Sequence, residues 1–178
     1  DQIALSYYYS FKSPVTIIRP FNTKGPRQSE RAILPTIINQ FIDNKKSIKI
    51  GNQNTKRNLN SVFDIVIGFE LALKTKKKIS GEIINLGSEF ELSIKDLINI
   101  VGKIEKKKVR IITDKKRLRP NNSEILRLTA SNIKAKKFLN WKPKINNTKK
   151  FEIFIKDTIE WYKKNRSKYK YDSQKYSV

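Results

Sequence analysis

The chain carries neither His nor Cys. Imidazole bases, thiolate nucleophiles and the usual nitrogen and sulfur metal ligands are therefore excluded, no metal site is expected, and any proton transfer falls to carboxylates, Tyr, Lys or hydroxyls. The residues with chemical potential are cations and amides placed beside turn signals. The β-branched run Val15-Thr16-Ile17-Ile18 stops at Arg19-Pro20 and is followed two residues later by Asn22. A buried strand that ends in an Arg-Pro-x-Asn turn delivers polar groups to the carboxyl edge of a parallel sheet, where α/β proteins bind ligands. Asn22 equally suits an Asx turn that closes the strand. Arg57 and Arg119 offer planar donor forks that match a diphosphate bidentately and neutralise its charge. Either one alone also reads as an ordinary surface Arg, and Arg27, in the Gly25-Pro26-Arg27 loop, stands evenly between the two uses. No GxGxxG and no GxxxxGK[ST] occurs, and Gly numbers only 6. A dinucleotide, if one is bound, is cradled mainly by another segment.

Alternating helical and strand periodicities position these groups. Asp1 to Phe11 reads as the end of a helix, Val15 to Ile18 as a buried parallel strand, and Asn22 to Arg31 as a polar loop. Apolar residues recur at helical spacing from Ala32 to Ile42, with Leu34 as a core residue. A short strand follows at Ile48 to Gly51, then a helix over Asp64 to Lys74 capped by Asp64. Strands are expected at Glu82 to Leu86 and Val109 to Ile112. Ser93 precedes an amphipathic run with Asp96 at its third position, the pattern of a capping box. Ser131 is placed to cap a helix that runs to Leu139, where Asn140 tolerates the left-handed conformation of a C-terminal cap. A last helix covers about Phe151 to Lys164 with Ile155, Ile159 and Tyr162 on one side. The Lys/Tyr/Ser-rich tail from Arg166 is expected to be mobile. Trp141 and Trp161 read as core aromatics, and Ser123-Glu124 as a ribose contact or, for Glu124, a solvent-facing residue. The sum is an α/β chain whose strands are separated by helices.

With 178 residues and 38% hydrophobic content, one globular domain with a true core is the prior. No run approaches the ~20 apolar residues of a membrane-spanning helix. The absence of Met and the mid-helix character of the first residues read as a piece of a longer protein. A net charge of +23 admits nucleic acid, an acidic membrane surface or anionic small molecules as partners. Lysines are scattered in small clusters at helix ends and loops, a pattern of solvated faces rather than of one basic surface.

Several segments together resemble the extended short-chain dehydrogenase/reductase family, the NAD-dependent epimerases and dehydratases of nucleotide sugars. Thr16-Ile-Ile-Arg-Pro-Phe-Asn-Thr-Lys-Gly-Pro26 resembles the family's RPxNxYGP signature. Arg57-Asn-Leu-Asn-Ser-Val-Phe-Asp64 resembles its R-D-x-x-x-V-x-D, and Ile84-Asn-Leu-Gly87 its Y-N-x-G. Arg119-Pro120 is similar to its substrate-side arginine and Leu139-Asn-Trp-Lys-Pro143 to its L-G-W-x-P. The matches occur in family order and reach from Asp1 to about Tyr162. Lys24 stands where the family usually has Tyr, Asn58 where it has Asp, Ser61 where an aromatic is common, and Asn140 where Gly is usual. The phrases Arg19-Pro-Phe-Asn-Thr23 and Gly25-Pro-Arg-Gln-Ser29 are most similar to bacterial 4,6-dehydratases of the GDP-mannose dehydratase and legionaminic-acid pathway type.

The resemblance implies the C-terminal part of a Rossmann-type enzyme. Residues 1–31 would close the dinucleotide-binding domain and carry a substrate loop, 32–165 would form mainly the substrate-binding domain with returning sheet elements, and 166–178 a basic tail. It also implies an internal redox cycle for surface glycan synthesis: NAD or NADP, held mainly by an upstream segment, takes hydride from C4 of the sugar, water is lost across C5 and C6, and hydride returns to C6. The 4-epimerases share only the oxidation, and the sequence leaves that choice open. The family's catalytic Tyr-x-x-x-Lys pair would precede residue 1, so no residue here is assigned to catalysis, and Tyr8 with Lys12 is read as a coincidence of spacing. Substrate contacts are expected from Asn22, Arg27, Ile33, Ile50, Arg57 and Arg119, with Asn22 and Pro20 facing the cofactor. Ile50 serves equally as a core residue. The expected protein is a cytoplasmic homodimer that binds a nucleotide sugar, contacts neither membrane nor nucleic acid, and is inactive as this piece alone. A basic nucleic-acid-binding module is the competing class, though no RNP-like strand, basic zipper or finger supports it.

Overall fold

The computed structural model describes residues 1–118 and 120–168. In chain order the elements are α1 (Gln2–Phe11), β1 (Ile17–Pro20), β2 (Thr23–Lys24), α2 (Ile33–Ile42), β3 (Ser47–Ile50), β4 (Lys56–Asn58), β5 (Asn60–Ser61), α3 (Val62–Lys74), β6 (Ile83–Leu86), β7 (Glu91–Ser93), α4 (Ile94–Ile104), β8 (Arg110–Thr113), β9 (Arg127–Leu128), α5 (Ile133–Leu139) and α6 (Thr148–Asn165). They divide into two compact units whose segments alternate along the chain.

The first unit comprises residues 1–23, 58–90 and 129–146. Its strands β1 and β6 run parallel, in register from Ile17↔Ile83 to Pro20↔Leu86. The strand expected at Val15 to Ile18 thus starts two residues later. The Val15 N–H is bonded to the Ser13 carbonyl, and the first N–H this segment donates across to the neighbouring strand is that of Ile17, to the Glu82 carbonyl. Ile84 and Leu86 on β6 are fully buried with Ile65, Ala135, Leu139 and Trp141. Gly68 lets α3 close onto this sheet, since a Cβ there would stand 2.4 Å from Leu86 Cδ1. Helix α3 is capped by Ser61, whose Oγ accepts the Phe63 N–H at 3.1 Å, and not by Asp64. Asp64 sits inside the first turn and does longer-range work. Its carboxylate accepts the backbone N–H groups of Lys144 and Ile145, each at 3.0 Å, while its carbonyl accepts the Trp141 indole N–H at 2.9 Å. One acid therefore pins the whole Leu139 to Ile145 segment against α3.

Helix α5 begins after Asn132 rather than after Ser131, and without a side-chain cap. The Asn132 amide is used elsewhere, donating to the Gly87 carbonyl at 3.0 Å. Asn140 terminates the helix in the left-handed region, φ 52° and ψ 27°, as its sequence position requires. Lys12 ends α1 in the same way, and its ammonium lies 5.9 Å from the centroid of the Tyr8 ring. That ring in turn covers Gly81. Tyr8 and Lys12 are thus occupied at a helix end.

The second unit comprises 24–57, 91–128 and the chain from 147. Strands β3 and β8 pair in parallel from Ser47↔Arg110 to Ile50↔Thr113, and β4 lies between β7 and β9, parallel to β9. The loop expected over Asn22 to Arg31 contains the two-residue strand β2, and the strands at 47–50 and 110–113 are each displaced by a residue from the expected bounds. Helices α2, α4 and α6 pack pairwise. They bury Leu34, Ile37, Ile38 and Phe41 from α2, Leu97 and Val101 from α4, and Phe151, Ile155 and Ile159 from α6. Helix α6 starts at Thr148, three residues before the first apolar position, because the Asn147 side chain accepts the Lys150 N–H and extends the helix through a polar turn. Buried Gln40 joins α2 to β3. Its carbonyl oxygen accepts the Lys49 N–H at 2.8 Å and its amide donates to the Lys49 carbonyl at 3.2 Å. The capping box at α4 forms as the sequence indicates: Ser93 Oγ accepts the Asp96 N–H, and Asp96 Oδ2 accepts the Ser93 N–H, both at 3.0 Å. Replacing Ser93 with Ala is expected to cost about 1 kcal/mol, the usual worth of an N-cap, read as a lower urea midpoint at constant m.

No helix among the described residues is long and apolar enough to cross a membrane.

Candidate functional site

Asn22 follows β1 and occupies the left-handed region at φ 28°, which Asn tolerates better than other non-Gly residues. The turn is braced from within the first unit. The Asn60 N–H reaches the Asn22 carbonyl at 3.4 Å, the Asn60 amide donates to the Phe21 carbonyl, and Asn60 Oδ1 accepts the Ser88 N–H at 2.6 Å. Asn22 itself spends no side-chain donor on this scaffold. Its Nδ2 is buried and without a hydrogen-bond partner among the described residues. An unsatisfied buried amide is costly, about 1–3 kcal/mol, unless a ligand supplies an acceptor. Pro20 is exposed at the end of β1. Asn58, where an Asp stands in the family signature, is fully buried and donates to Ser88 Oγ at 3.2 Å and to the Phe90 carbonyl at 3.0 Å. It acts as an amide clamp on the Gly87 to Phe90 turn, where a Cβ on Gly87 would meet Asn58 Oδ1 at 2.6 Å.

The charged groups gather in the second unit. Arg57, on β4, has a side chain 17% exposed and faces Glu124, 15% exposed, at 3.6 Å. Its Nη1 also donates to the Lys56 carbonyl at 2.9 Å. Glu124 is therefore a half-buried carboxylate beside this guanidinium rather than a solvent-facing residue. Sequence spacing gave no sign of it, because 67 positions separate the pair along the chain. Lys24, on β2, is 7% exposed and engages no hydrogen bond or ion pair among the described residues. Its pKa falls from the ordinary 10.5 to about 8, first because burial disfavours the ammonium and second because Arg57 repels it. Among the described residues Lys24 and Arg57 thus repel each other, while Glu124 is the acid paired with Arg57.

Of the other residues singled out from sequence, Arg27 is exposed at φ 63°, without hydrogen bond or ion pair among the described residues. Ile33 is half-buried in the first turn of α2, and Ile50 is 1% exposed at the end of β3, so it is a core residue of its sheet. Arg119 lies outside the described residues, as does the tail from 169; Arg166 to Lys168 form one 3₁₀ turn. Within the second unit Arg57, Glu124 and Lys24 form the charged group, and no hydrogen bond or ion pair among the described residues joins Arg27, Ile33 or Ile50 to it.

A family model of GDP-mannose 4,6 dehydratase matches residues 1–156. The dTDP-D-glucose 4,6-dehydratase of Mus musculus is 32% identical over 169 residues, covering 90% of this chain and 44% of that protein. A crystal structure of UDP-glucuronic acid 4-epimerase from Bacillus cereus, in complex with UDP-glucuronic acid and NAD, is similar at TM-score 0.81 and 27% identity, over 92% of this chain and 49% of its own. The dTDP-glucose 4,6-dehydratase of Bacillus anthracis, in complex with NAD, is similar at TM-score 0.79 and 25% identity, over 96% and 51%. The chain spans about half the length of the relatives it matches. The parallel strands, the Arg-Pro-Phe-Asn turn and the braced Arg57 thus sit in a mixed α/β scaffold of Rossmann-type enzymes, and the chain belongs to the GDP-mannose 4,6-dehydratase family of extended short-chain dehydrogenase/reductases.

Proposed function

We propose that the chain is the substrate-binding part of a nucleotide-sugar 4,6-dehydratase, and that its own share of the reaction is to capture the diphosphate linking nucleotide and sugar. The observation that carries this reading is Arg57, half-withdrawn from water and paired with Glu124, with the unpaired Lys24 acting on it. A guanidinium can present parallel N–H donors to two phosphate oxygens, and a diphosphate diester keeps both negative charges through every chemical step. The interaction is the same in ground and transition states, so it lowers the Michaelis constant more than it raises turnover. Arg119 is proposed as the second guanidinium, with Arg27 and Ile33 around the nucleotide. A 4-epimerase of the same family is the second reading, favoured by the similarity to the Bacillus cereus UDP-glucuronic acid 4-epimerase.

NAD or NADP, when bound, supplies the hydride acceptor and donor of this chemistry. Asn22 fits such a group, because its buried Nδ2 is a donor that lacks an acceptor. It would orient the cofactor or the sugar with one hydrogen bond, and Pro20 would limit water at the same turn. Nothing in the 178 residues can wrap a pyrophosphate with glycine-rich backbone, so the chain alone is expected neither to retain NAD nor to turn over sugar nucleotide. The test is a calorimetric titration of the chain with UDP-glucose, GDP-mannose, dTDP-glucose and, separately, NAD. At least one nucleotide sugar is expected to bind while NAD does not; binding of NAD without any nucleotide sugar would overturn the reading. Tight binding of mixed-sequence DNA with a steep salt slope would instead favour the nucleic-acid module.

A further inference from the structure

Lys24 occupies the position where the family signature usually has Tyr, and nothing in the braced Arg57–Glu124 pair requires a second cation. Yet Lys24 is 93% withdrawn from solvent by its 7% exposure, has no hydrogen bond or ion pair among the described residues, and acts on Arg57 within one compact unit. The charged groups around it are Arg57 from β4 and, through Arg57, Glu124 from the segment that precedes β9. With Lys24 protonated these three groups sum to one positive charge; with Lys24 neutral they sum to none. A structural lysine would extend its ammonium to water or to a carboxylate. This one pairs with no carboxylate among the described residues, and a hydrophobic residue of the same volume would fill the space at lower cost.

We propose that Lys24 is a further, charge-regulated cation of the diphosphate site, taking up a proton when a phosphate group arrives and so coupling nucleotide-sugar binding to pH. The inference rests on the assignment of Arg57 to the diphosphate. In the free protein burial and Arg57 hold Lys24 near pH 8, so it is charged at neutral pH and largely neutral at pH 9. A phosphate oxygen at the ammonium opposes both causes: its negative charge offsets the repulsion by Arg57, and it supplies a hydrogen bond in place of those that burial removed. Binding then returns the lysine toward its ordinary 10.5. Proton linkage converts that change into affinity. Below pH 8 the bound and free forms hold the same proton and affinity is flat. Above pH 8 each complex must first recover a proton, and affinity falls.

Calorimetry with UDP-glucose, GDP-mannose and dTDP-glucose at pH 7 and pH 9, each in two buffers of different ionisation heat, measures this directly. The diphosphate of all three probes is a fully ionised diester across the range. For whichever probe binds, the dissociation constant is expected to rise about tenfold from pH 7 to pH 9, with nearly one proton taken up per complex at pH 9 and almost none at pH 7. Lys24→Met is expected to give a dissociation constant that does not change with pH. Carbon-13 detection of the Lys24 Cε in the parent provides the same answer without a variant: its titration near pH 8 moves up by at least about one unit with saturating probe. A probe that binds through Arg57 with the same affinity at both pH values, and leaves the Lys24 titration in place, overturns the role of Lys24 and leaves the Arg57 assignment standing. No binding of any probe overturns both.

Discussion

Replacing Lys24 with Met is expected to stabilise the free chain at pH 7 by about 3 kcal/mol, an advantage that disappears as the pH approaches 10.5. The magnitude follows from the fall of the Lys24 pKa from 10.5 to about 8, at 1.36 kcal/mol per unit, and is an order-of-magnitude figure. Below pH 8 the native and unfolded chains both hold the proton, so the native state bears the full penalty of a buried cation next to Arg57. Between pH 8 and 10.5 the native chain releases a proton that the unfolded chain keeps, so rising pH favours the native parent. Above 10.5 neither form is charged and the penalty is gone. Met fills a similar volume with no charge, and the other titrating groups cancel in the difference between parent and variant. Urea unfolding of both proteins from pH 7 to pH 10.5 reads the difference. A variant that is less stable than the parent at pH 7 would show that the lysine is compensated within the chain, contrary to its unpaired burial.

Trp141→Ala is expected to destabilise the first unit by about 3 to 5 kcal/mol, within the range for deleting a fully buried large aromatic. The side chain is 0% exposed and packs among Ile65, Ile79, Ile84, Leu86, Ala135 and Leu139. It carries an apolar area of about 150–250 Å², worth roughly 4 to 6 kcal/mol at 25 cal/mol per Å², of which partial collapse recovers some. The change also removes the indole donor from the Asp64 carbonyl, 2.9 Å away. Trp141→Phe separates the two contributions, since it keeps most of the packing and loses only the N–H, and about 1 to 2 kcal/mol is expected for it. Chemical denaturation followed by circular dichroism gives both values. An Ala variant within 1 kcal/mol of the parent would place Trp141 outside the folding core.

Local rules carried the sequence reading furthest where one residue type serves one geometry. Ser93 with Asp96 is a capping box, Asn140 is a left-handed helix end, and the Ile17 to Ile18 run is a parallel strand, because each feature depends on neighbours a few positions away. The family resemblance was legible for the same reason, being held in short phrases. Misreadings arose where two residues of one type competed or where a partner was distant. Asp64 looks like a helix cap, but Ser61 stands three residues earlier and takes that role, which frees the acid to bind Lys144 and Ile145. Ser131 looks like a cap, but the helix starts after Asn132, whose amide is drawn to the Gly87 carbonyl. Glu124 could not be paired with Arg57 from spacing, and the burial of Lys24 could not be read from a loop rich in Gly, Pro, Ser and Arg. Burial and long-range pairing are properties of the packed chain, and they decide which of several plausible cations meets an anion.

The measurement that bears most directly on the proposed diphosphate capture is the affinity of Arg57→Ala for the nucleotide sugar that the parent binds, obtained by calorimetry at pH 7. Loss of a bidentate hydrogen bond to a charged group predicts a weakening of about 1.5 to 3 kcal/mol, roughly 10- to 150-fold in dissociation constant. Arg57→Lys is expected to recover only part of it, because the ammonium keeps the charge and loses the planar fork. Equal affinities for the parent and the Ala variant would contradict the account, returning Arg57 and Glu124 to an ordinary surface ion pair.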